Sequence, residues 1–92
     1  MITTYKLVHA ATSFNVECYI NGRLEMTFHH YTLQEATDRY ERAEIILLLL
    51  NLPSTPTHAD GVSLGQLIRA RYANQFDWAL ETIKTIRPNL YK

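Results

Sequence analysis

Four histidines and a single cysteine are the residues of this chain best suited to bind a metal ion or to act in catalysis. His29 and His30 are adjacent, and neighbouring residues of a strand point to opposite faces, so they cannot join one cluster. The sequence has no C-x-x-C or H-x-x-x-H pair that would chelate an ion. Cys18 lies on the apolar side of a predicted strand, where a buried thiol is inert. We therefore expect no metal site and no cysteine nucleophile.

Acidic side chains are concentrated on one predicted helix, together with two arginines. Their spacing favours salt links between successive turns, which is typical of a solvated helix surface. The three glycines are scattered at turns and in the first turn of a helix, so no glycine-rich phosphate loop is formed. We expect a protein without a cofactor and without enzymatic activity. The charged residues are Glu35, Asp38, Arg39, Glu41, Arg42 and Glu44.

The last predicted helix carries the first candidate for a partner-binding surface, Arg69, Arg71, Asn74 and Trp78. The apolar stripe from Leu64 to Ile83 would leave Trp78 outside the core, and Trp and Arg dominate binding hot spots. Its arginines are numerous enough to contact a few nucleic-acid phosphates. The alternative is that a helix break at Asn74 turns Trp78 inward, or that the tail Asn89–Tyr91 covers it.

The polar side of the predicted β-hairpin is the second candidate surface, with Glu17, Tyr19 and Arg23 as its contact residues. On this hairpin, polar residues alternate with apolar ones on both sides of Asn21-Gly22, as expected for a half-buried sheet. A preceding segment, Thr3–Ala10, is rich enough in β-branched and aromatic residues to form another strand.

The register of this hairpin follows from its apolar pattern. A two-residue turn at Asn21-Gly22 would pair Cys18 with Glu25 and so place apolar residues beside polar ones. A three-residue loop, Ile20–Gly22 with a bulge at Gly22, instead pairs Val16 with Met26 and makes one face apolar. We therefore predict the three-residue loop.

Two capping boxes mark the predicted helix starts. Thr32–Glu35 opens the first helix, and Ser63–Gln66 opens the second after a loop at residues 53–62. The second helical segment runs to about residue 87, with a kink or break expected at Asn74. The end of the first helix is apolar all round, which requires further packing beyond the sheet. The predicted core stripe of the first helix is Leu33, Ala36, Tyr40, Ala43, Leu47 and Leu50.

The length and composition bound the class of protein. A chain of 92 residues, 47% hydrophobic and 20% charged, is expected to form one globular domain. Nine basic and nine acidic residues give no net charge, which argues against a general nucleic-acid binder or an acidic DNA mimic. A lone cysteine excludes an internal disulfide, and no leader or bilayer-length apolar run is visible. We expect a soluble, cytoplasmic protein without a membrane partner.

These patterns predict an α+β fold: an antiparallel three-stranded β-meander, about residues 3–30, followed by two or three helices packed on one face. The helices are expected at about residues 32–51 and 63–87. The sheet and the helices are predicted to form one domain, residues 1–92.

In its size, its order of elements and its lack of a catalytic constellation, the chain resembles small phage-encoded anti-CRISPR proteins. The resemblance concerns the layout from Thr3 to Ile86 and no motif. It implies an inhibitor that binds a host protein or nucleoprotein complex in the bacterial cytoplasm and occludes it. Many such proteins are acidic, and the neutral charge here favours mixed polar and aromatic contacts. The alternative is a homodimeric regulatory or accessory subunit that associates through Ile45–Leu52, although a monomer is favoured.

Overall fold

The structure, a computed structural model, describes residues 1–88 and 90. Three antiparallel strands come first and lie in the order β1-β2-β3, followed by three α-helices. This confirms the predicted α+β fold of a β-meander followed by helices. Within the described residues, no helix is both long and apolar enough to cross a membrane. The elements are β1 (Thr3–His9), β2 (Phe14–Ile20), β3 (Arg23–His30), α1 (Leu33–Leu50), α2 (His58–Arg71), a 3₁₀ turn (Ala73–Gln75) and α3 (Phe76–Ile86).

The chain divides into two compact units, which we call the sheet unit (Met1–Glu44) and the helical unit (Ile45–Lys92). The sheet unit contains the three strands and the first part of α1. The helical unit contains the end of α1, α2 and α3. One helix therefore supplies residues to both units.

In the sheet unit, the ladders bring apolar residues of all three strands to one face. Leu7 of β1 pairs with Val16 of β2, and Val16 pairs with Phe28 of β3. Val16 is fully buried, as is Ala36 of α1. The guanidinium carbon of Arg39 in α1 lies 4.3 Å from the centre of the Phe28 ring. The first part of α1 thus covers this inner face of the sheet.

The turn of the hairpin differs from the predicted three-residue loop. Asn21 and Gly22 have φ angles of 53° and 79°, the left-handed values of a two-residue type I′ turn. The register shift lies between Cys18, opposite Met26, and Tyr19, opposite Leu24, so Glu25 is the extra residue of a bulge.

The predicted bulge at Gly22 and the predicted pairing of Val16 with Met26 are therefore wrong. The two-residue turn alone would have set polar residues against the apolar ones of β2. The extra residue, Glu25, shifts the register by one position and restores the apolar face, since side chains alternate along a strand. The protein thus combines the turn that Asn-Gly prefers with the pairing that the hydrophobic pattern requires.

Helix α1 begins as predicted, because the backbone N–H of Glu35 donates to Oγ1 of Thr32 at 3.2 Å. Helix α2 begins at His58 rather than at Ser63, since an earlier capping box starts it. Thr57 Oγ1 accepts the N–H of Asp60 at 3.3 Å, and Asp60 Oδ2 accepts the N–H of Thr57 at 2.8 Å. The segment predicted as a loop therefore supplies the first turn of α2.

Helices α2 and α3 are separated at the predicted position. Helix α2 ends at Arg71, Asn74 lies in the 3₁₀ turn, and α3 begins at Phe76. The predicted break is confirmed. Gln75, the last residue of the turn, is only 2% exposed, so the turn buries a polar residue.

An apolar cluster forms the core of the helical unit. The end of α1 contributes Ile45 and Leu49, both 1% exposed, whereas Leu50 of the predicted stripe is 65% exposed. The predicted face is wrong here because this end of α1 is apolar all round, so the pattern does not fix which side is buried. The buried members of the cluster are Ile45, Leu49, Leu64, Ile68, Ala79, Ile83 and Leu90.

Candidate partner-binding surfaces

The side of the sheet opposite to α1, which we call the outer face, is built by alternate residues of the strands. Glu17 and Tyr19 of β2 lie on it, together with Asn15, which pairs with His29 of β3. Leu24 pairs with Tyr19 and is 48% exposed, so an aliphatic and an aromatic side chain lie side by side. The predicted pairing of Val16 with Met26 would place Leu24 on the inner face, because that pairing lacks the bulge at Glu25.

A hydrogen bond joins the two predicted contact residues of the outer face. The Tyr19 hydroxyl donates to Glu17 Oε1 at 2.7 Å. This bond to the Glu17 carboxylate, followed by partial burial, raises the pKa of Tyr19 above its ordinary value. Residues two apart on a strand share a face, and the bond therefore holds the phenol ring along β2. The Tyr19 hydroxyl therefore donates its proton to Glu17, and the phenol group has a fixed orientation.

A second hydrogen-bonded group lies further along the same face. Asn15 Oδ1 accepts the Ser13 hydroxyl at 2.8 Å and lies 3.0 Å from His29 Nδ1. Because the amide oxygen is an acceptor, His29 Nδ1 carries the proton in this arrangement. Asn15 is 9% exposed, which makes it one of the two most buried polar residues among those described. The network fixes the start of β2 to the end of β3.

Arg23, the third predicted contact residue of the sheet, does not belong to the outer face. It pairs with Ile20 beside the turn, and strand alternation places it on the other side from Tyr19. Its side chain is exposed at the tip of the hairpin. The structure therefore brings Glu17 and Tyr19 together but separates Arg23 from them.

The two adjacent histidines point to opposite faces, as predicted. His29 contacts Asn15 on the outer face, whereas His30 Nε2 accepts the Nε–H of Arg39 at 2.9 Å on the inner face. The other ring nitrogen of His30 lies 3.8 Å from the Glu35 carboxylate. Among residues 1–88 and 90, no group of three or more His, Cys, Asp or Glu side chains is placed to hold a metal ion.

Cys18 lies half-buried on the inner face opposite Tyr5. Burial, followed by a hydrogen bond and electrostatic interaction with Cys18, raises the pKa of Tyr5. The charge of Glu44 in α1 adds to this rise, and burial followed by the Glu44 charge raises the pKa of Tyr40. Burial also raises the pKa of the Glu44 carboxyl itself. Glu44 was predicted to lie on a solvated helix surface, and its proximity to these tyrosines was not predicted. The antiparallel pairing of Tyr5 with Cys18 was the signal, but the alternation in β1 was too irregular to assign its faces.

In the helical unit, the predicted contact residues surround the junction of α2 and α3. Arg69 and Arg71 are exposed in the last turn of α2, and Asn74 is exposed in the 3₁₀ turn. The guanidinium carbon of Arg69 lies 4.4 Å from the centre of the Phe76 ring, within the range of a cation–π contact. This stacking fixes the orientation of the Arg69 head group.

The apolar stripe predicted that Trp78 is directed away from the core, and this prediction is wrong. It is half-buried and packs against the apolar cluster. The break before α3 changes the helical phase, so Ala79 and Ile83 become the buried residues of α3. Leu90 of the tail is buried in the cluster, while Asn89 and Tyr91 lie outside the described residues. Trp78 therefore contributes to the fold as well as to the surface.

Comparisons of the chain with models of known protein families, with curated proteins and with solved structures gave no match.

Proposed function

We propose that the protein is a non-catalytic binding protein whose outer face is its main partner-binding surface. The observation that supports this proposal most strongly is that the polar groups of that face are held by their own hydrogen bonds. Tyr19 is bonded to Glu17 at 2.7 Å, and Asn15 is bonded to Ser13 at 2.8 Å. Side chains that are ordered before binding lose less conformational entropy when a partner docks.

The chemistry of the outer face suits a protein partner. Tyr19 offers an aromatic ring, and Leu24 beside it offers exposed apolar area. Lys6 of β1 pairs with Glu17, so the surrounding charges have both signs. An aromatic anchor with polar neighbours is typical of interface hot spots. The partner is therefore expected to present an apolar contact with hydrogen-bonding groups around it.

The specific form of this proposal is an inhibitor, of the anti-CRISPR kind, that occludes a bacterial defence nucleoprotein complex in the host cytoplasm. The resemblance in layout and the absence of net charge support occlusion through mixed contacts rather than DNA mimicry. Arg69 and Arg71 are proposed as additional contacts, including contacts with nucleic-acid phosphates, because both are exposed at the end of α2.

The proposed binding surface is tested with two tyrosine variants. Tyr19→Ala removes the anchor of the outer face, whereas Tyr31→Ala removes a tyrosine that is 90% exposed between β3 and α1. Each protein is immobilised and used to capture partners from bacterial lysate, followed by mass spectrometry. We expect a protein that is retained by the wild type and by Tyr31→Ala but lost with Tyr19→Ala. Equal capture by all three would contradict the assignment of the outer face.

The proposed inhibition is tested in bacteria that carry active RNA-guided immunity against a phage. Expression of the wild-type chain is expected to restore plaque formation, and Tyr19→Ala is expected to lose this effect at equal protein level. Tyr31→Ala serves as the matched control and should behave as the wild type. Undiminished immunity in every such strain that accumulates the folded protein would show that the protein is not an inhibitor of this kind.

A further inference from the structure

The surface of α3 carries a shallow depression of about 400 Å³ within the helical unit. It is lined by Trp78, Glu81, Thr82, Thr85 and Ile86, at the three- and four-residue spacing of one helix side. Trp78 packs on the apolar cluster, and Ile86 is 49% exposed. The depression therefore has an apolar side chain at each end and two threonines between them.

The threonine hydroxyls of this surface are already used within the helix. Thr82 Oγ1 donates to the carbonyl oxygen of Trp78 at 2.9 Å, and Thr85 Oγ1 donates to that of Glu81 at 3.0 Å. Covering the depression would therefore not strand these two hydroxyl donors, and the usual cost of burying a hydroxyl group is avoided. The surface is less polar than its composition indicates.

Charged residues form an ordered stripe along one edge of the depression. Asp77, Glu81 and Lys84 follow at spacings of four and three, with the acids towards the start of α3 and the lysine in its last turn. When two identical helices pair antiparallel about a two-fold axis, the same flank of each helix meets that of the other. The acidic part of one stripe then lies beside the basic end of the other.

We propose that α3 is a self-association surface on which a second copy of this chain docks antiparallel, with the two-fold axis near Thr82. Trp78 of each copy lies against Ile86 of the other, and Glu81 of each lies beside Lys84 of the other. This surface differs from Ile45–Leu52, whose Ile45 and Leu49 are buried in the cluster of their own chain. It does not depend on the function proposed for the outer face.

The expected association is weak. A pair of helices as short as α3 buries less than the roughly 1,200 to 2,000 Å² of a stable protein interface. We therefore expect a monomer–dimer equilibrium with a dissociation constant in the micromolar to millimolar range. Sedimentation equilibrium over a concentration series measures it.

Charge reversal tests the antiparallel arrangement. Glu81→Lys places lysine beside lysine at both symmetry-related contacts, and Lys84→Glu places acid beside acid. Each is expected to weaken dimerisation by about tenfold, the scale of two partly exposed ion pairs converted to repulsion. The double variant Glu81→Lys/Lys84→Glu restores opposite charges across the interface and should recover wild-type dimerisation. Ile86→Ser should weaken dimerisation without any change in charge.

The order of charges also suits the dipole of α3, so each charge reversal disfavours the helix itself. Circular dichroism and thermal unfolding of each variant at low concentration therefore separate an effect on folding from an effect on association. The proposal requires the rescue by the double variant while the single variants stay folded. A wild-type chain that remains monomeric to millimolar concentration would overturn it. Dimerisation that is unaffected by the single reversals, or not recovered by the double one, would assign the dimer to another surface.

Discussion

The two units of the chain use their side chains differently. In the helical unit, seven buried apolar residues from α1, α2, α3 and the tail form one cluster. In the sheet unit, Val16 and Ala36 are the only apolar residues buried to this extent among those described. Several of its polar side chains are joined by hydrogen bonds, and the Arg39 guanidinium lies against the Phe28 ring.

The difference indicates where stability is concentrated and, under the proposed function, where a partner would be recognised. A cluster of aliphatic side chains provides free energy of folding in proportion to its buried area, with little specificity for a partner. Hydrogen-bonded side chains that remain partly exposed add less to stability but hold their polar groups in fixed directions. We therefore expect large losses of stability from changes in the helical unit and smaller, more directional effects in the sheet unit.

The largest effect is expected from Ile68→Ala in the helical unit. Ile68 is 1% exposed in the last turn of α2, and emptying such a site costs about 2 to 5 kcal/mol of unfolding free energy. Leu50→Ala, at a residue that is 65% exposed, is the matched control and should change stability by less than about 0.5 kcal/mol. Urea unfolding measures both. Similar losses from the two substitutions would contradict the difference in burial between Ile68 and Leu50.

A smaller loss is expected from Thr57→Ala, which removes the cap of α2. Its side chain accepts the N–H of Asp60 at 3.3 Å, and loss of such a cap costs about 1 kcal/mol. Thr57→Ser keeps the hydroxyl and should retain most of the stability, and Thr55→Ala changes an exposed threonine of the same loop. Thermal unfolding compares the three variants. Equal melting temperatures of Thr57→Ala and Thr55→Ala would contradict the earlier helix start.

In the sheet unit, Glu44→Gln is expected to change how stability depends on pH. Burial raises the pKa of the Glu44 carboxyl, so the folded state binds its proton more tightly than the unfolded state does. The wild type consequently loses the stability that this tighter proton binding provides as the pH rises from below the ordinary pKa of a glutamate carboxyl through the raised pKa. The glutamine side chain of the variant does not ionise, so its contribution to stability does not change with pH.

The variant should therefore gain stability relative to the wild type as the pH rises over that range. Urea unfolding at a series of pH values measures the difference between the two proteins, in which the other titrating groups cancel. Glu41→Gln, on the same helix, is the control. A difference that is constant with pH would show that the Glu44 carboxyl is solvated in the folded state.

The smallest effect is expected from deletion of Glu25. This residue is the extra one of the bulge, so its removal leaves Leu24 opposite Tyr19 and Met26 opposite Cys18 in a regular ladder. Deletion of Thr27 instead shifts the part of β3 beyond it by one residue and moves its apolar side chains to the outer face. Cross-strand NMR contacts between Val16 and Phe28 should persist in the first variant and disappear in the second. Loss of these contacts on deletion of Glu25 would contradict the assigned bulge.

The order of the elements could be predicted from the sequence because it depends on local signals. Alternation marks β2 and β3, and Thr32 marks the start of α1. The start of α2 was missed because Asp60-Gly61 resembles a turn, although it lies in the first turn of a helix capped by Thr57. Two capping signals compete there, and the sequence alone does not show which one starts the helix.

The arrangement of the candidate surfaces depends on register and helical phase, which are less local. A single extra residue, Glu25, moves Leu24 to the outer face, and the break at Asn74 turns Trp78 towards the apolar cluster. Glu17 and Tyr19 were correctly placed together because residues two apart on one strand always share a face. Whether these surfaces bind a partner stays a prediction.

The bulge also bears on how this hairpin can change in evolution. A residue that pairs with nothing across the ladder is free to be inserted or lost without reversing the faces of β3, as long as the turn at Asn21-Gly22 is kept. A change of length at Thr27 would have to be matched by another in the same strand. Chains descended from a common ancestor with this one are thus expected to differ in length at position 25 before they do so elsewhere in the sheet.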